Sequence, residues 1–420
     1  MRILVAAPAF PSAAHPFAGT FSAAIAATFR DLGHDVVALC PRPFAPPGIT
    51  RLARWRHYGG IEPLGTHLGV PVHRPNTVVV PGVLQAFWSD WAAWFATRRY
   101  VARLHRRGPF DVIVGLDLGG AGGLAWRLGK TLGVTTAGWA YGSEVRVSSS
   151  SDHGRSVRNA IERLDFVFYQ STELRECASK LVDRDLSVEP DAQRHRVLPH
   201  GIRLSEAVAA DSDHSTSSAQ PPTGASSVRS LWGVASDQRV ILSLGRLLRS
   251  KGVFDLLDAF EVIAAQHHDV TLVVVGALPP RDDSEEFRAS VAARGLQDRV
   301  LVLAPIDPTS VQRALRAADI FTFTSYQEGM PNVVLEAMLA ETPVVAFDIS
   351  PLREADPDGE ALALVPKGDA QALRIELLRL LRDGSERARR ARAGSTIVHA
   401  RFDIRRNLRS ALDLLSDRQT

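Results

Sequence analysis

Two short stretches of this 420-residue chain gather the residue types that handle phosphate and sugar. In Ser243-Leu-Gly-Arg-Leu-Leu-Arg-Ser-Lys-Gly252, Gly245 closes an apolar run, and Arg246 and Lys251 follow on one loop. A glycine at the carboxyl end of a strand lets a ligand approach the backbone. A guanidinium fork and an ammonium point charge suit a diphosphate. A helix expected to begin near Ser250 would offer its first N–H groups to the same charge. Taken alone, a basic loop after a strand is more often ordinary loop chemistry, roughly two times in three. The second stretch is Ser325-Tyr-Gln-Glu-Gly-Met-Pro-Asn-Val-Val-Leu-Glu-Ala-Met338. Glu328 falls in a loop after a strand, Pro331 stands where helices begin, and Glu336 falls on the helix expected over Pro331–Leu339. The Gly329–Asn332 stretch aims the backbone N–H groups of Gly329, Met330 and Asn332 at whatever sits at the helix start, with Pro331, which has no N–H, between them. Two carboxylates beside a cationic loop suit sugar and ribose hydroxyls, while the cations hold phosphates. Val333, Val334, Ala337 and Met338 read as the face packed on a sheet.

The elements that must position these residues read as strand–helix alternation. Apolar runs at Arg2–Ala6, Asp35–Leu39, Asp111–Gly115, Val134–Trp139 and Phe166–Tyr169 fit buried parallel strands. Residues 205–230 contain almost no aliphatic side chain and no aromatic one, so a linker or loop is expected there. The pattern then restarts with Arg239–Leu244, Val270–Val275, Val300–Leu303, Ile320–Thr324 and Pro343–Phe347. The fold class is α/β, with two doubly wound Rossmann-like domains at 1–204 and 231–402.

Length and composition bound the function. A hydrophobic fraction of 45% and a charged fraction of 23% exclude a disordered, collagenous or membrane-bundle chain. No run of 18 or more apolar residues is present. Cys40 and Cys177 cannot build a disulfide framework or a zinc cluster, so a reducing cytoplasm is the expected compartment. The net charge of +3 hides an asymmetry: residues 1–204 hold 24 Lys and Arg against 16 Asp and Glu, and the remainder is acidic. Basic first domains meet anionic partners or merely solvate. Only four lysines occur, which makes Lys251 conspicuous.

Gly245-Arg246…Lys251-Gly252 followed by Glu328-Gly-x-Pro-Asn-x-x-x-Glu336 resembles the nucleotide-sugar glycosyltransferases of the family 4 type, which have the GT-B fold. Smaller matches span most of the chain: Gly33-His34-Asp35-Val36, Val197-Leu-Pro-His-Gly-Ile202, Asp319 with Ser325, and Leu364-Val-Pro-Lys-Gly-Asp369. The resemblance implies two domains facing a cleft, with a last helix, about 403–420, crossing back to the first. It implies a retaining, hexosyltransferase-like enzyme that needs no metal or other cofactor. Arg246 and Lys251 would contact the donor diphosphate, Glu336 the ribose, and Glu328 the donor sugar near its anomeric centre. Gly329–Asn332 would grip sugar and phosphate, and Gly19 would lie in a loop over the donor phosphates. Tyr141, in Trp139-Ala-Tyr-Gly-Ser-Glu-Val145, stands where the family has a histidine that touches the donor sugar, and Glu144 replaces its usual aspartate. The alternatives are a nucleotide-sugar 2-epimerase on the same fold and a non-catalytic sugar-nucleotide-binding subunit.

Weaker features have bland readings beside them. Asp183-x-Asp185 and Asp356-x-Asp358 lack a matching ligand set for a metal. Between Phe87 and Arg107, Trp88, Trp91 and Phe95 recur at helical spacing, with Trp94 beside them and five arginines after them. This reads either as an interfacial membrane contact or as an amphipathic helix with core tryptophans. The expected partners are a nucleotide-sugar donor and a lipid-linked or membrane-proximal acceptor, with the protein peripheral on the inner membrane face and no nucleic acid involved.

Overall fold

The computed structural model describes residues 1–44, 60–77, 85–204, 225–279 and 282–416. The chain divides into two compact units: Met1–His200 with the chain from Ile404 onward, and Gly201–Asp403.

The first unit is built on an eight-stranded sheet. Its strands are β1 (Arg2–Ala6), β2 (Asp35–Leu39), β4 (Leu64–His67), β5 (Val70–His73), β7 (Val112–Gly115), β8 (Thr135–Ala140), β9 (Phe166–Tyr169) and β10 (His195–Val197). The short strands β3 (Arg42–Pro43) and β6 (Asn76–Thr77) pair separately. The sheet order is β10-β9-β8-β7-β1-β2-β5-β4, and only the β4–β5 edge hairpin is antiparallel. Successive residues of β1 alternate between two cores. Ile3 and Val5 pack with Val36, Val112 and Phe168 on one face, and Leu4 and Ala6 with Leu39, Ile113 and Val167 on the other. Both faces are dry, which is why these strands read as unbroken apolar runs.

The late helix Ile404–Ser416 completes the first of these cores. Ile404, Leu408, Ala411, Leu412 and Leu415 join Ile25 and Phe29 of the helix Thr20–Asp31. Asn407 Nδ2 donates to the Pro199 carbonyl at 2.9 Å, fixing the helix to the end of the strand region.

The second unit carries six parallel strands: β11 (Arg239–Leu244), β12 (Val270–Val275), β13 (Val300–Leu303), β14 (Ile320–Phe323), β15 (Val344–Phe347) and β16 (Leu362–Val365). Their order is β13-β12-β11-β14-β15-β16. The chain winds outward from β11, then returns to pair β14 on its other side. Such a switch point opens a crevice beyond the carboxyl ends of the two strands. The equivalent point in the first sheet lies between β1 and β7.

Residues 225–230, expected within a linker, instead lie in the helix Ala225–Leu231. Arg229 explains this: it donates to the carbonyls of Ala317 and Gln238 and to Asp319 Oδ2 at 2.7 Å. Asp319 also accepts from the Val240 N–H. One arginine thus fastens a weakly apolar segment to the strand starts. The rest of the expected linker, 205–224, lies outside the described residues.

Candidate active site

The switch point of the second sheet brings together what the sequence places 77 residues apart. Lys251, after β11, donates through Nζ to Oε1 of Glu328, after β14, at 2.5 Å. Both side chains remain partly open to solvent. Two further bonds tie the loops: Thr324 Oγ1 donates to the Lys251 carbonyl at 2.9 Å, and the Tyr326 N–H to the Ser250 carbonyl at 3.2 Å. Tyr326 in turn donates to the Asp255 carboxylate at 3.1 Å and sets its ring edge-on to Phe347. Burial raises the Asp255 carboxyl above its ordinary range, with the tyrosine bond working against the shift.

The helix expected near Ser250 begins three residues later. Arg249–Lys251 form a tight 3-10 turn, and Gly252, at φ +64°, caps the helix Val253–Gln266. A β-carbon on Gly252 would stand 2.1 Å from the Thr324 carbonyl oxygen, so only glycine lets the two loops close on each other. The other basic side chains of the loop differ in use. Arg249 pairs with Glu286 and lies 4.3 Å over the Phe254 ring. Arg246 is exposed and makes no ion pair among the described residues. Gly245 has φ +146° and is approached closely by Gly276, whose added β-carbon would meet the Gly245 carbonyl at 2.2 Å.

Past Glu328, Gly329 and Pro331 are buried, and Met330 packs against the core. The helix is Asn332–Leu339, one residue shorter than expected, with Pro331 as its cap. The Val334 and Leu335 N–H groups donate to the Pro331 carbonyl at 3.0 and 3.4 Å, so only the Asn332 and Val333 N–H groups precede the first bond of the helix, where an anion or a hydroxyl can be met. Glu336 is half-buried on the second turn, and its main-chain carbonyl accepts from Gln312 Nε2 at 3.2 Å.

In the first unit, Gly19 caps the helix Thr20–Asp31 at φ +70°, so close to Ala9 that a β-carbon would stand 2.2 Å from its carbonyl oxygen. Tyr141 follows β8. Its ring lies 4.8 Å from Phe21 and 5.7 Å from His200. Its hydroxyl is buried and finds no hydrogen-bond partner among the described residues. Burial first, then the charges of Glu144 and Asp117, push that phenol well above its ordinary range. Glu144 holds the turn by accepting from the N–H groups of Tyr141 at 2.5 Å and Gly142 at 2.9 Å. Asp117, which the sequence reading passed over, follows β7. It accepts from the Ala121 N–H at 3.1 Å, and burial, then Glu144, raise its carboxyl to about 7. The signal was present in Gly115-Leu-Asp-Leu-Gly-Gly: a carboxylate in a glycine-rich loop after an apolar run.

Residues 228–396 match the family described as Glycosyl transferases group 1. A Bacillus subtilis protein named as a teichuronic acid biosynthesis glycosyltransferase, TuaC, is 27% identical over 98% of this chain and 97% of its own length. By these matches the chain is a glycosyltransferase, with the group 1 match confined to its second unit. A phosphatidyl-myo-inositol mannosyltransferase of Mycobacterium leprae is 37% identical over 42% of this chain and 46% of its own. Sucrose-phosphate synthase from Thermosynechococcus elongatus shares the fold, with a TM-score of 0.75 at 20% identity over 99% of this chain and 100% of that one. Anabaena HepE in complex with UDP and glucose does so at 0.72, also at 20% identity and over 99% of both chains. The fold is GT-B.

Other features of this glycosyltransferase resolve along the lines of their chemistry. In the helix Gln85–Arg107, Asp90, Ala93, Thr97 and Val101 face inward. Trp91 and Phe95 are 39% and 53% exposed and stack at 5.5 Å. Arg98 lies 3.8 Å over the Phe95 ring, and Arg99, Arg103, Arg106 and Arg107 are exposed. Trp94 is half-buried and donates to Thr131 Oγ1. The side chains of Phe87 and Trp88 lie outside the described residues. No helix among the described residues is long and apolar enough to cross a membrane. Asp356 accepts from the N–H groups of Glu360, Ala361 and Leu362, and Asp185 from Ser187, so both close turns. Among the described residues no group of three or more His, Cys, Asp or Glu is arranged to hold a metal. Burial pushes the Cys40 thiol up to about 11, as befits a packing residue.

Proposed function

We propose that this glycosyltransferase moves a hexosyl-type group from a nucleotide-diphosphate sugar to an acceptor hydroxyl with retention, in the assembly of a polysaccharide, glycolipid or related glycoconjugate. The Lys251–Glu328 pair at the β11/β14 switch point carries the reading. In this scheme Arg246 and Lys251 take the donor diphosphate and stabilise the charge that develops as the nucleotide leaves. Glu328 lies next to Lys251 and takes the sugar, Glu336 takes the ribose, and the Gly329–Asn332 backbone completes the contacts of this unit; Gly19 and Tyr141 are donor-binding candidates on the first unit taken by itself. The sugar–phosphate C–O bond breaks, its electron pair departs with the nucleoside diphosphate, and the acceptor oxygen attacks the same face. Oriented cations in a partly dry crevice provide the main stabilisation, so the scheme needs no metal. The test is thermal shift with UDP-, GDP- and ADP-sugars, followed by NMR of the anomeric configuration of the product. One donor should raise the melting temperature and give a retained product. No shift with any of them, or an inverted product, overturns the scheme.

The acceptor in this reading is lipid-linked or membrane-proximal, with the cytoplasmic protein peripheral on the inner membrane face. Support comes from the exposed stripe Trp91, Phe95, Arg99, Arg103 and Arg106 on one helix and from the positive balance of residues 1–204. Each arginine near an anionic leaflet contributes about 1 kcal/mol, and salt screens it within a Debye length of about 10 Å. Liposomes containing anionic lipid should sediment the protein at low salt and release it at high salt. Sedimentation unchanged in an Arg98→Ser, Arg99→Ser, Arg103→Ser variant would refute the docking face.

A further inference from the structure

One hydrogen bond of the second unit braces the candidate site from behind. The Tyr326 hydroxyl is shared between both carboxylate oxygens of Asp255, each at 3.1 Å. Tyr326 stands two residues before Glu328, and Asp255 four residues after Lys251. That bond and the Lys251–Glu328 pair therefore close a small ring of chain, with one cross-link at each end. The same tyrosine also reaches the ends of neighbouring strands. Its N–H donates to the Ser250 carbonyl at 3.2 Å, and its ring lies 5.6 Å edge-on to Phe347 of β15. A β-carbon on Gly368, after β16, would stand 3.1 Å from its hydroxyl oxygen.

Stability is a poor account of this carboxylate. Asp255 is half-buried, and among the described residues it makes no ion pair and bonds no other side chain. Burial works against its charge. Its place on the first turn of the helix Val253–Gln266 offsets part of that cost. An apolar pair of the same shape would pack beside Phe347 without incurring it. What the carboxylate adds is direction: a phenol held between two charged oxygens cannot swing without losing a strong bond. Glu328 has need of such a brace, because it sits on a partly open loop, and a displacement of about 1 Å in a reacting group costs on the order of a hundredfold in rate. We propose that Tyr326, held by Asp255, is a positioning residue that sets Glu328 against Lys251 and thereby governs the rate of transfer rather than the affinity for nucleotide. This rests on the glycosyl-transfer reading and adds to it two residues that act through others.

The test uses the full chain, labelled with 15N at the lysine Nζ. Only four lysines occur, so NMR can identify the Lys251 signal by its loss in Lys251→Arg. Glu328→Gln gives the position of that signal with the pair broken. Tyr326→Phe keeps the ring on Phe347 and removes only the hydroxyl. It should move the Lys251 signal at least about a third of the way to its Glu328→Gln position, and a smaller move overturns the proposal. In transfer assays Tyr326→Phe and Asp255→Ala should each lower kcat about tenfold, with the donor KM and the nucleoside diphosphate Kd raised no more than about twofold. The double variant should be no slower than either single one, because both remove the same bond. Asp255→Asn keeps an acceptor oxygen and should recover most of the kcat lost in Asp255→Ala. Affinity that falls in step with kcat, or an Asn variant as slow as the Ala variant, would make the pair a packing contact only. If Asp255→Ala fails to fold, Tyr326→Phe decides the matter alone. A wild type without turnover on UDP-, GDP- or ADP-sugars overturns the glycosyl-transfer reading, whereas the lysine signal still decides whether Tyr326 holds the pair.

Discussion

Lys251 and Glu328 neutralise each other in the structure, so the two residues cannot be probed as independent groups. Arg246 is the clean case, being exposed and outside any ion pair among the described residues. Arg246→Ala should cut turnover by roughly a hundredfold, about 3 kcal/mol of leaving-group stabilisation, at an unchanged melting temperature. Near-wild-type kcat with every donor would remove Arg246 from the diphosphate. Glu328→Gln releases the Lys251 ammonium, so calorimetry should find nucleoside diphosphate bound as tightly or more tightly while turnover falls. Glu336→Gln should weaken nucleotide binding instead, and equal losses in both would end that division of roles. Asp117 makes a prediction about pH. Its carboxyl titrates near 7 in the fold, against an ordinary value of 3.8. Between those values the folded chain keeps a proton that the unfolded chain has lost, so this group's contribution to stability is fullest at low pH and falls as pH rises towards 7. Buried His195, lowered to about 4 from 6.5, acts in the opposite sense: stability drains away as pH falls below its unfolded value. The two slopes oppose over their shared range. Asp117→Asn removes one of them, so its unfolding free energy relative to wild type should climb by about 1.4 kcal/mol per unit from pH 4 towards 7, then level off. A difference independent of pH would mean that Asp117 ionises normally.

Elements place these residues through a few close contacts, and glycines mark where. Gly252 and Gly295 both have positive φ, yet only at Gly252 would a β-carbon meet anything. Gly295→Ala should cost about 1–2 kcal/mol from its backbone angle alone. Gly252→Ala should cost clearly more in denaturant unfolding and should also lower turnover, because it pushes the Lys251 turn off β14. Equal effects would show that the loops have slack. The same contacts explain what was legible in the sequence. Buried parallel strands such as Val270–Val275 announce themselves because both faces must be apolar. The β4–β5 hairpin does not: its residues alternate in exposure and include Gly65 and Pro71, so no apolar run marks it. The Glu328–Glu336 stretch stood out because its residue types are dense and local. The Lys251–Glu328 bond and the Asp117–Tyr141–Glu144 cluster did not, because each joins residues from different strand ends that only the sheet order makes neighbours.

On the scale of the whole molecule, the helix Ile404–Ser416 belongs to the unit that the chain begins rather than the one it has just finished. Ile404, Leu408, Leu412 and Leu415 are each almost fully buried in that first unit. At about 1.5–3 kcal/mol apiece their burial is comparable to the whole net stability of a domain. A chain ending at Asp403 should therefore yield an intact second unit and an aggregation-prone first one, distinguishable by limited proteolysis. A first unit that melts cooperatively at the full-length temperature would show the helix to be dispensable. The arrangement also has a consequence on the ribosome. The rest of the first unit, with the groove on the helix Thr20–Asp31, is synthesised by His200, but its cover arrives about 200 residues later. At roughly 5–20 residues per second that interval is on the order of 10–40 s. The second unit has all its own parts in hand before then, so it should be folded while the first still shows an oily seam to solvent, and a nascent-chain chaperone has that interval in which to hold it.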